Sequence, residues 1–244
     1  MKRWLAATLV VFGLAACAGV SVPPTQRGLV EYAGAQKEIF VTGKAVGVVP
    51  VRALAVDATS YAVGAAAGLD GEITVLAGVP YVTKVRGDRV TVARGWGDSA
   101  FFAVWARQAH WTEQPVPAEV RTYQDLQRFV KARAQAAGLD TSQPFPFRLT
   151  GTPLEVDWHV NVDRTGGHPI TTALFLKSKA SYVARDEPMD LVGFYSEHDQ
   201  GVFITGAPTN AMHVHMVTRD GQSAGHVDAI TLGPGMTLLL PRPR

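Results

Sequence analysis

Three histidines near the C-terminal end of the 244-residue chain have the spacing of a metal site. His213 and His215 lie in the segment MHVHMV, residues 212–217, and His226 lies in GHV, residues 225–227. Because successive side chains of a β-strand point to opposite faces, the imidazoles of His213 and His215 should project from the same face. The register of the following strand then decides whether His226 joins them.

The turn between these two segments sets that register. Asp220–Gly221 is a strong signal for a two-residue hairpin loop. A loop of these two residues, or a four-residue loop over 219–222, places His215 directly opposite His226, whereas a three-residue loop would shift the register by one. Directly opposed residues have Cβ atoms about 4.5–5.5 Å apart, and diagonal neighbours about 7–8 Å. In the first register, all three rings could reach one tetrahedral ion.

The residues between the histidines indicate that this sheet is buried. Met212, Val214 and Met216 occupy the opposite face, and imidazoles beside a core are costly unless they are paired or bound to metal. Three neutral nitrogen donors without a thiolate favour Zn²⁺, with a coordination position left open as in catalytic sites. The alternative is a histidine-rich polar face that binds no metal.

The elements that must position these histidines are mostly strands. Apolar alternation between short turns predicts strands in several segments, namely 37–42 (KEIFVT), 45–55, two within 64–85, 147–160, 173–178 (ALFLKS), 191–197 and 229–240. Residues 120–136 predict the clearest helix, since Leu126, Phe129 and Val130 form an apolar stripe and Gly138 follows as a cap. The pattern therefore predicts a mainly β protein of the α+β class, with antiparallel or mixed sheet partly closed into a barrel.

The N-terminus has the features of an export signal. Lys2 and Arg3 precede the apolar run 5–16, which is too short to span a bilayer. The run ends in LAAC, residues 14–17, which resembles the lipobox of bacterial lipoproteins and implies that Cys17 is lipidated. We therefore expect a signal peptide over 1–17, a tether over 18–34 and a lipid anchor on the periplasmic face of the outer membrane. The inner membrane and an uncleaved apolar anchor are the alternatives.

Composition argues against several other classes of protein. Cys17 is the sole cysteine, so no disulfide can form within the chain. The formal net charge is +2 and basic residues do not cluster, which argues against nucleic-acid binding. After the signal, no apolar run approaches transmembrane length.

Several segments, taken in order, resemble the alpha-acetolactate decarboxylase family. HVHMVTRDGQSAGHV, residues 213–227, is similar to the metal-binding signature of the family. GLDGEI (68–73), FPFRLTGT (145–152) and LVGFYSE (191–197) match other family segments in the same order. The resemblance runs from about residue 35 to 231. A cupin fits less well, because it would need a glutamate four or five residues after the histidine pair.

The resemblance implies a carbon–carbon lyase that converts 2-acetolactate to acetoin with one zinc ion. It also implies two β-rich lobes, over 35–140 with the helix and over 141–244 with the histidine hairpin, with the metal between them, and assembly as a homodimer. His213, His215 and His226 would be the metal ligands. Arg148 and Glu72 would be the catalytic residues.

The implied chemistry accounts for these residue types. Loss of CO2 leaves an electron pair that zinc, bound to the ketone and hydroxyl oxygens, would stabilise as an enediolate. Arg148 would hold the substrate carboxylate or a developing oxyanion, and Glu72 would donate or relay a proton if burial raises its pKa. Without the resemblance, the favoured interpretation is that Glu72 is a solvated turn residue and Arg148 a surface strand residue.

Other positions complete or depart from the family pattern. Leu69 and Ala65 would line the substrate pocket, with Ala65 where the family has a threonine. The expected register places Asp228 opposite His213, where it could orient a ligand. No acidic residue follows Asp228, so the second active-site glutamate of the family has no counterpart. The substrate could therefore be a related branched 2-hydroxy-3-oxo acid.

Two functions stay open on the sequence alone. The first is the decarboxylase, and the second is a non-enzymatic periplasmic lipoprotein that keeps the fold and binds a metal or a small acid. The remaining histidines and one acidic residue are interpreted as ordinary exposed or turn residues, namely His110, His159, His168, Glu197 and His198.

Overall fold

The computed structural model describes residues 23–242, so the predicted signal peptide and Cys17 lie outside the described residues. The described part of the chain forms two antiparallel sheets of eight strands each. It also contains four α-helices and one short 3-10 helix over Ala67–Leu69. Within residues 23–242, no helix combines the length and the apolar character that crossing a membrane requires.

The first sheet contains the first eight strands of the chain. Their bounds are β1 (Thr25–Arg27), β2 (Val30–Ala33), β3 (Val49–Pro50), β4 (Ser60–Ala66), β5 (Glu72–Leu76), β6 (Val79–Arg86), β7 (Arg89–Ala93) and β8 (Ser99–Arg107). The spatial order is β1-β2-β8-β4-β5-β6-β7, and β3 pairs with β8. The strand β5, which carries Glu72, is therefore an interior strand of this sheet.

The second sheet contains the remaining strands. Their bounds are β9 (Trp111–Pro115), β10 (Phe145–Gly151), β11 (Glu155–Asn161), β12 (Lys179–Arg185), β13 (Met189–Tyr195), β14 (Met212–Thr218), β15 (Ala224–Thr231) and β16 (Thr237–Pro241). The spatial order is β12-β11-β15-β14-β13-β10-β16-β9. The histidine hairpin β14–β15 thus lies in the interior of the sheet, flanked by β13 and β11.

The two sheets pack face to face, and the helices cover their outer sides and ends. Val63 of β4 and Phe194 of β13 belong to one buried cluster between the sheets. The opposite face of the second sheet, including Val214, packs against Leu126 and Val130 of the longest helix. Burying apolar side chains on both faces contributes about 25 cal/mol per Å² of area removed from water, so two cores stabilise the position of the histidine strands between them.

The helices are α1 (Glu38–Thr42), α2 (Val51–Leu54), α3 (Tyr123–Ala136) and α4 (Thr172–Lys177). Helix α3 begins where a capping box joins Thr122 to Asp125. It ends before Gly138, whose φ of 81° is the left-handed conformation that glycine adopts readily. The predicted helix over 120–136 is therefore present, with its start at Tyr123.

Three segments predicted as strands each contain a short helix instead. KEIFVT contains α1, which ends at Gly43 with a φ of 69°. Residues 45–55 contain only the two-residue β3 followed by α2, and ALFLKS forms α4, where Thr171 caps the first turn. A short apolar run has no periodicity that distinguishes a strand from a buried helical turn. Local capping and tertiary packing therefore determine that these segments form helices.

The predicted fold class, two β-rich lobes with a few helices, is confirmed. The strands of both sheets pair in antiparallel fashion and both sheets stay open, rather than forming a mixed sheet and a partly closed barrel. The chain enters the second sheet at β9, and α3 packs on that sheet, so the change of sheet comes before the expected boundary after residue 140. Residues 25–33 of the expected tether form β1 and β2, because Val30 and Ala33 are buried.

Candidate metal centre and active site

The hairpin β14–β15 has the register that aligns the histidines. His215 pairs with His226, and Val217 pairs with Ala224. The Thr218 N–H then donates to the Ser223 carbonyl oxygen at 2.9 Å, which leaves a four-residue loop over 219–222. Asp220 Oδ1 accepts hydrogen bonds from the Thr218 hydroxyl at 2.8 Å and from the Gln222 N–H at 2.9 Å. This is one of the two loops that the sequence predicted to place the histidines on one face.

The three rings converge in the space between the sheets. The Nε2 atoms of His213 and His215 are 3.1 Å apart, and one ring nitrogen of each of the three histidines lies within 4.8 Å of the others. His213 and His215 are 1 % and 0 % exposed, and His226 is mostly buried. These positions form a group that could hold one metal ion.

Hydrogen bonds orient two of the rings so that their Nε2 atoms face the common centre. His213 Nδ1 donates to the Phe203 carbonyl oxygen at 2.7 Å, which leaves Nε2 of the neutral ring with a free lone pair. His215 Nδ1 lies 2.9 Å from the hydroxyl oxygen of Thr74, which can accept its proton. Such partners on the distal nitrogen are the usual support of metal-binding histidines.

Burial keeps these rings neutral. Removal from water lowers the pKa of His213 to about 3. Burial, with repulsion from the neighbouring rings, also places the pKa of His215 and of His226 well below the usual range. Three neutral nitrogen donors with no thiolate match the ligands that zinc binds in catalytic sites, so the donor set fits a divalent transition metal such as zinc.

Glu72 reaches this centre from the first sheet. Its side chain is 3 % exposed, and its Oε2 lies 3.7 Å from His215 Nε2. Its Oε1 accepts the Asn161 N–H at 3.2 Å. Burial raises the pKa of Glu72 well above its usual value, and the Asn161 N–H only partly offsets this. Glu72 is therefore a buried carboxyl group beside the three histidines, and its raised pKa favours the protonated form, which can donate a proton.

Two residues that neighbour Glu72 carry buried polar atoms without partners. Thr83, its Cα partner on β6, is fully buried and its hydroxyl makes no hydrogen bond within residues 23–242. The side-chain oxygen of Asn161 is likewise buried and unpaired there. Because such groups cost free energy unless they are bonded, the Thr83 hydroxyl is suited to bind a substrate oxygen, and the Asn161 oxygen is suited to accept a hydrogen bond from a substrate hydroxyl.

Ala65 and Leu69 lie on the apolar side of this region. Ala65 is the Cα partner of Glu72 on β4 and is 2 % exposed. Leu69 is fully buried at the end of the 3-10 turn, with a φ of 55° that is strained for a non-glycine residue. Both belong to the buried cluster between the sheets, the place where a wall of a substrate pocket would be.

Arg148 lies on the same sheet face as the histidines but is held away from them by other contacts. In the strand register, Arg148 is the Cα partner of Val192 on β13, and Val192 is the Cα partner of His215 on β14. Its guanidinium donates to Asp190 at 2.9 Å and lies 5.4 Å from the ring centre of Tyr61. The structure therefore brings Arg148 to the inter-sheet space two strands from His215 and pairs its charge with a carboxylate.

Asp228 does not pair with His213, in contrast to the expected register. The β14–β15 ladder ends at His215 and His226, and a bulge in the pairing of β11 with β15 leaves Asp228 outside the ladder. A bulge re-aims the side chain of the extra residue. Asp228 Oδ2 instead accepts a hydrogen bond from His159 Nδ1 at 2.7 Å.

Similarity to known proteins places this chain in a family. The sequence model of the alpha-acetolactate decarboxylase family matches residues 38–238 of the chain. The chain belongs to the alpha-acetolactate decarboxylase family. No curated protein sequence matches it.

Solved structures with the same fold are distant in sequence from this acetolactate decarboxylase family member. The acetolactate decarboxylase of Bacillus subtilis subspecies spizizenii matches with a TM-score of 0.70 at 15 % sequence identity. The alpha-acetolactate decarboxylase of Bacillus subtilis strain 168 matches with a TM-score of 0.65 at 14 % sequence identity. A Staphylococcus aureus protein of unknown function, described as similar to the decarboxylase, matches with 0.69 at 14 %. Each comparison covers 87 % of this chain and 85 % of the other. At these identities, the likeness shows the fold.

The interpretation of His159 as an exposed or turn residue was wrong. It is 3 % exposed on β11, where it is the Cα partner of His226, and the two ring centres are 4.7 Å apart. By contrast, His110, His168 and His198 are exposed, as expected. The alternation in VDWHV could place His159 on one face of a strand, but only the strand order of this family member shows that β11 lies beside β15.

Proposed function

We propose that this family member decarboxylates 2-acetolactate, or a related branched 2-hydroxy-3-oxo acid, to acetoin with the help of a zinc ion. The observation that carries the proposal is the buried centre in which three neutral imidazoles meet a carboxyl group. Glu72 Oε2 lies 3.7 Å from His215 Nε2 although the two residues come from different sheets. Packing alone does not require this costly set of polar groups in one core.

His213, His215 and His226 would hold the zinc ion. When bound, zinc would supply a Lewis acid of undiminished +2 charge for the electron pair that remains after CO2 leaves. The protein holds the three rings by the hairpin register and by the Phe203 and Thr74 contacts. The two apolar cores on either side of the hairpin exclude water, which strengthens every electrostatic interaction in the site.

Glu72 would deliver the proton that the product carbon needs. Burial raises its pKa and so favours the protonated form, and the Asn161 N–H fixes its Oε1. Oε2 is the atom on the histidine side. A positioned general acid of this kind contributes about 10²–10⁴ to a rate.

Arg148 would bind the acid group of the substrate or the charge that develops from it. Its pairing with Asp190 makes the pair nearly neutral overall, so its hold on a resting carboxylate is weakened. This suits a decarboxylase, because tight binding of the carboxylate would stabilise the substrate more than the transition state. The Nε atom, buried and without a partner in the described residues, remains as a donor.

The measurement that tests the proposal combines zinc analysis with acetoin formation from racemic acetolactate. Glu72→Gln should lower kcat about 10²–10⁴-fold while zinc content stays unchanged, since the amide keeps the shape and loses the acidic proton. Glu119→Gln is the matched control, because Glu119 is exposed and should leave both quantities unchanged. Stoichiometric zinc without acetoin in the wild type would refute the decarboxylase and leave a metal-binding protein with this fold.

The predicted export, membrane attachment and assembly stay proposals. The LAAC segment supports cleavage before Cys17 and a lipid anchor at that residue, and the outer membrane is the proposed location. The homodimer is implied by the family resemblance, and light scattering of the protein without its first 17 residues tests it. A monomer across micromolar concentrations would contradict it.

A further inference from the structure

A main-chain carbonyl in the loop between β13 and β14 determines which nitrogen of His213 faces the three-histidine centre. His213 Nδ1 donates to the Phe203 carbonyl oxygen at 2.7 Å. A carbonyl oxygen can only accept a hydrogen bond, so this bond requires the proton on Nδ1 and leaves the lone pair of the neutral ring on Nε2. Such partners fix the tautomer and the orientation of metal-binding histidines. Since the partner is a backbone atom, the groups that hold the loop control this orientation.

Asp199 fixes the peptide unit to which this carbonyl belongs. The Phe203 C=O and the Ile204 N–H are parts of one planar peptide unit. The Ile204 N–H donates to the Asp199 carbonyl oxygen at 3.1 Å, and the Val202 N–H donates to the same oxygen at 3.0 Å. A displacement of Asp199 would therefore tilt the Phe203 carbonyl away from His213.

The side chain of Asp199 is itself held from two directions. It is 3 % exposed, and its Oδ1 pairs with the guanidinium of Arg27 on β1. Its Oδ2 accepts a hydrogen bond from the Ser196 hydroxyl at 2.6 Å. Because a buried carboxylate is costly unless it is paired and hydrogen-bonded, Arg27 supplies the charge that keeps Asp199 in this place.

The segment that follows β2 holds the same loop through its main chain. The Gln36 N–H donates to the Val202 carbonyl oxygen at 2.9 Å, and the Lys37 N–H donates to the Gly201 carbonyl oxygen at 2.8 Å. The N-terminal part of the first sheet therefore contacts the loop at several points. The Arg27–Asp199 ion pair is the contact that a substitution can remove without changing the main chain.

We propose that Arg27 and Asp199 are positioning residues for the metal ligand His213 and act on it through the Phe203 carbonyl. This inference rests on the proposed function, in which His213 binds zinc. Loss of the ion pair would release Asp199 and with it the Phe203 carbonyl, so the proton of the His213 ring would no longer be confined to Nδ1. The affinity for zinc would thus depend on β1, a strand that contributes no ligand.

The test measures zinc affinity and the His213 tautomer in the chain without its predicted signal peptide. Competition with a chromophoric chelator should show the Kd for zinc raised about 10-fold in Arg27→Met, the lower end of the effect of losing a ligand's own partner. Nitrogen NMR of the zinc-free protein, with the His213 signals assigned from His213→Gln, should show Nδ1–H alone in the wild type and a mixture of tautomers in Arg27→Met. Arg27→Lys keeps the charge and should restore both quantities. Arg185→Met is the matched control, because it removes an arginine whose salt bridge to Glu155 lies on the exposed surface.

The outcomes separate this inference from the proposed function. An Arg27→Met variant that is less stable but keeps the wild-type Kd and tautomer would overturn the positioning role and leave the proposed function intact. A wild type that binds no zinc would overturn both. Should Arg27→Met fail to fold, Ser196→Ala carries the same comparison, because it removes only a hydroxyl that donates to Asp199.

Discussion

Acidifying the metal-free protein should destabilise it through the buried histidines. Burial lowers the pKa of His213 to about 3, whereas a histidine in the unfolded chain titrates near 6.5. Between these values, the unfolded chain binds a proton that the folded protein does not, so the free energy of unfolding falls as the pH falls. The stabilisation is fully present above about pH 6.5 and declines towards pH 3.

The magnitude follows from these two pKa values. A pH of about 5 is about 1.5 units below the pKa of the unfolded chain, and each unit corresponds to about 1.4 kcal/mol. Acidification to that pH should therefore lower the free energy of unfolding by about 2 kcal/mol through His213 alone. For a domain of this size, about 2 kcal/mol corresponds to a Tm change of about 4–8 °C. His215 and His226 act in the same direction, since burial places their pKa values well below the usual range.

Glu72 acts in the opposite direction. Burial raises its pKa well above the usual value, so the folded protein keeps a proton that the unfolded chain loses above about pH 4.3. Its contribution to stability is therefore present at low pH and is lost as the pH rises through the folded pKa. Glu72→Gln removes this contribution, and the variant should lose more stability than the wild type between about pH 7.5 and about pH 5.

The assay is thermal unfolding, followed by circular dichroism, of chelator-treated protein at several pH values from about 7.5 to about 5. This range avoids most of the titration of paired carboxylates, which falls below about pH 5. When the pH is lowered from about 7.5 to about 5, the Tm of the wild type should fall, and the Tm of His213→Gln should fall by about 4–8 °C less. His168→Gln, which replaces an exposed ring, should follow the wild type. Equal pH dependence in the wild type and His213→Gln would refute the buried neutral ring.

Two further predictions concern the metal and the membrane. Free zinc at about 100 times its Kd should raise the free energy of unfolding by about 2.7 kcal/mol and the Tm by about 5–11 °C. His215→Ala should abolish this rise in Tm. A rise that the variant retains would show that zinc binds elsewhere. Cys17→Ser should prevent incorporation of labelled fatty acid and move the protein from the membrane to the soluble fraction of cells. A wild type that carries no label would contradict the lipid anchor.

The sequence by itself determined the parts of the site that depend on neighbouring residues. The alternation around His213 and His215 and the turn at Asp220–Gly221 specify one hairpin face, and a hairpin loop sets the register of its own two strands. The helix α3 was equally readable, because its apolar stripe and its terminating glycine lie within one segment. The strand predicted for the short apolar run KEIFVT was wrong, because so few residues fit the period of a helix as well as that of a strand.

Only the tertiary structure decided which distant residues meet the histidines. Glu72 comes to His215 by the stacking of one sheet on another, and His159 comes to His226 by the order of strands in the second sheet. The resemblance to the family pointed to Glu72 but not to His159. Strand order and sheet stacking depend on burying area between segments far apart in the chain, which no local pattern encodes. The bulge that turns Asp228 onto His159 is likewise a property of two paired strands.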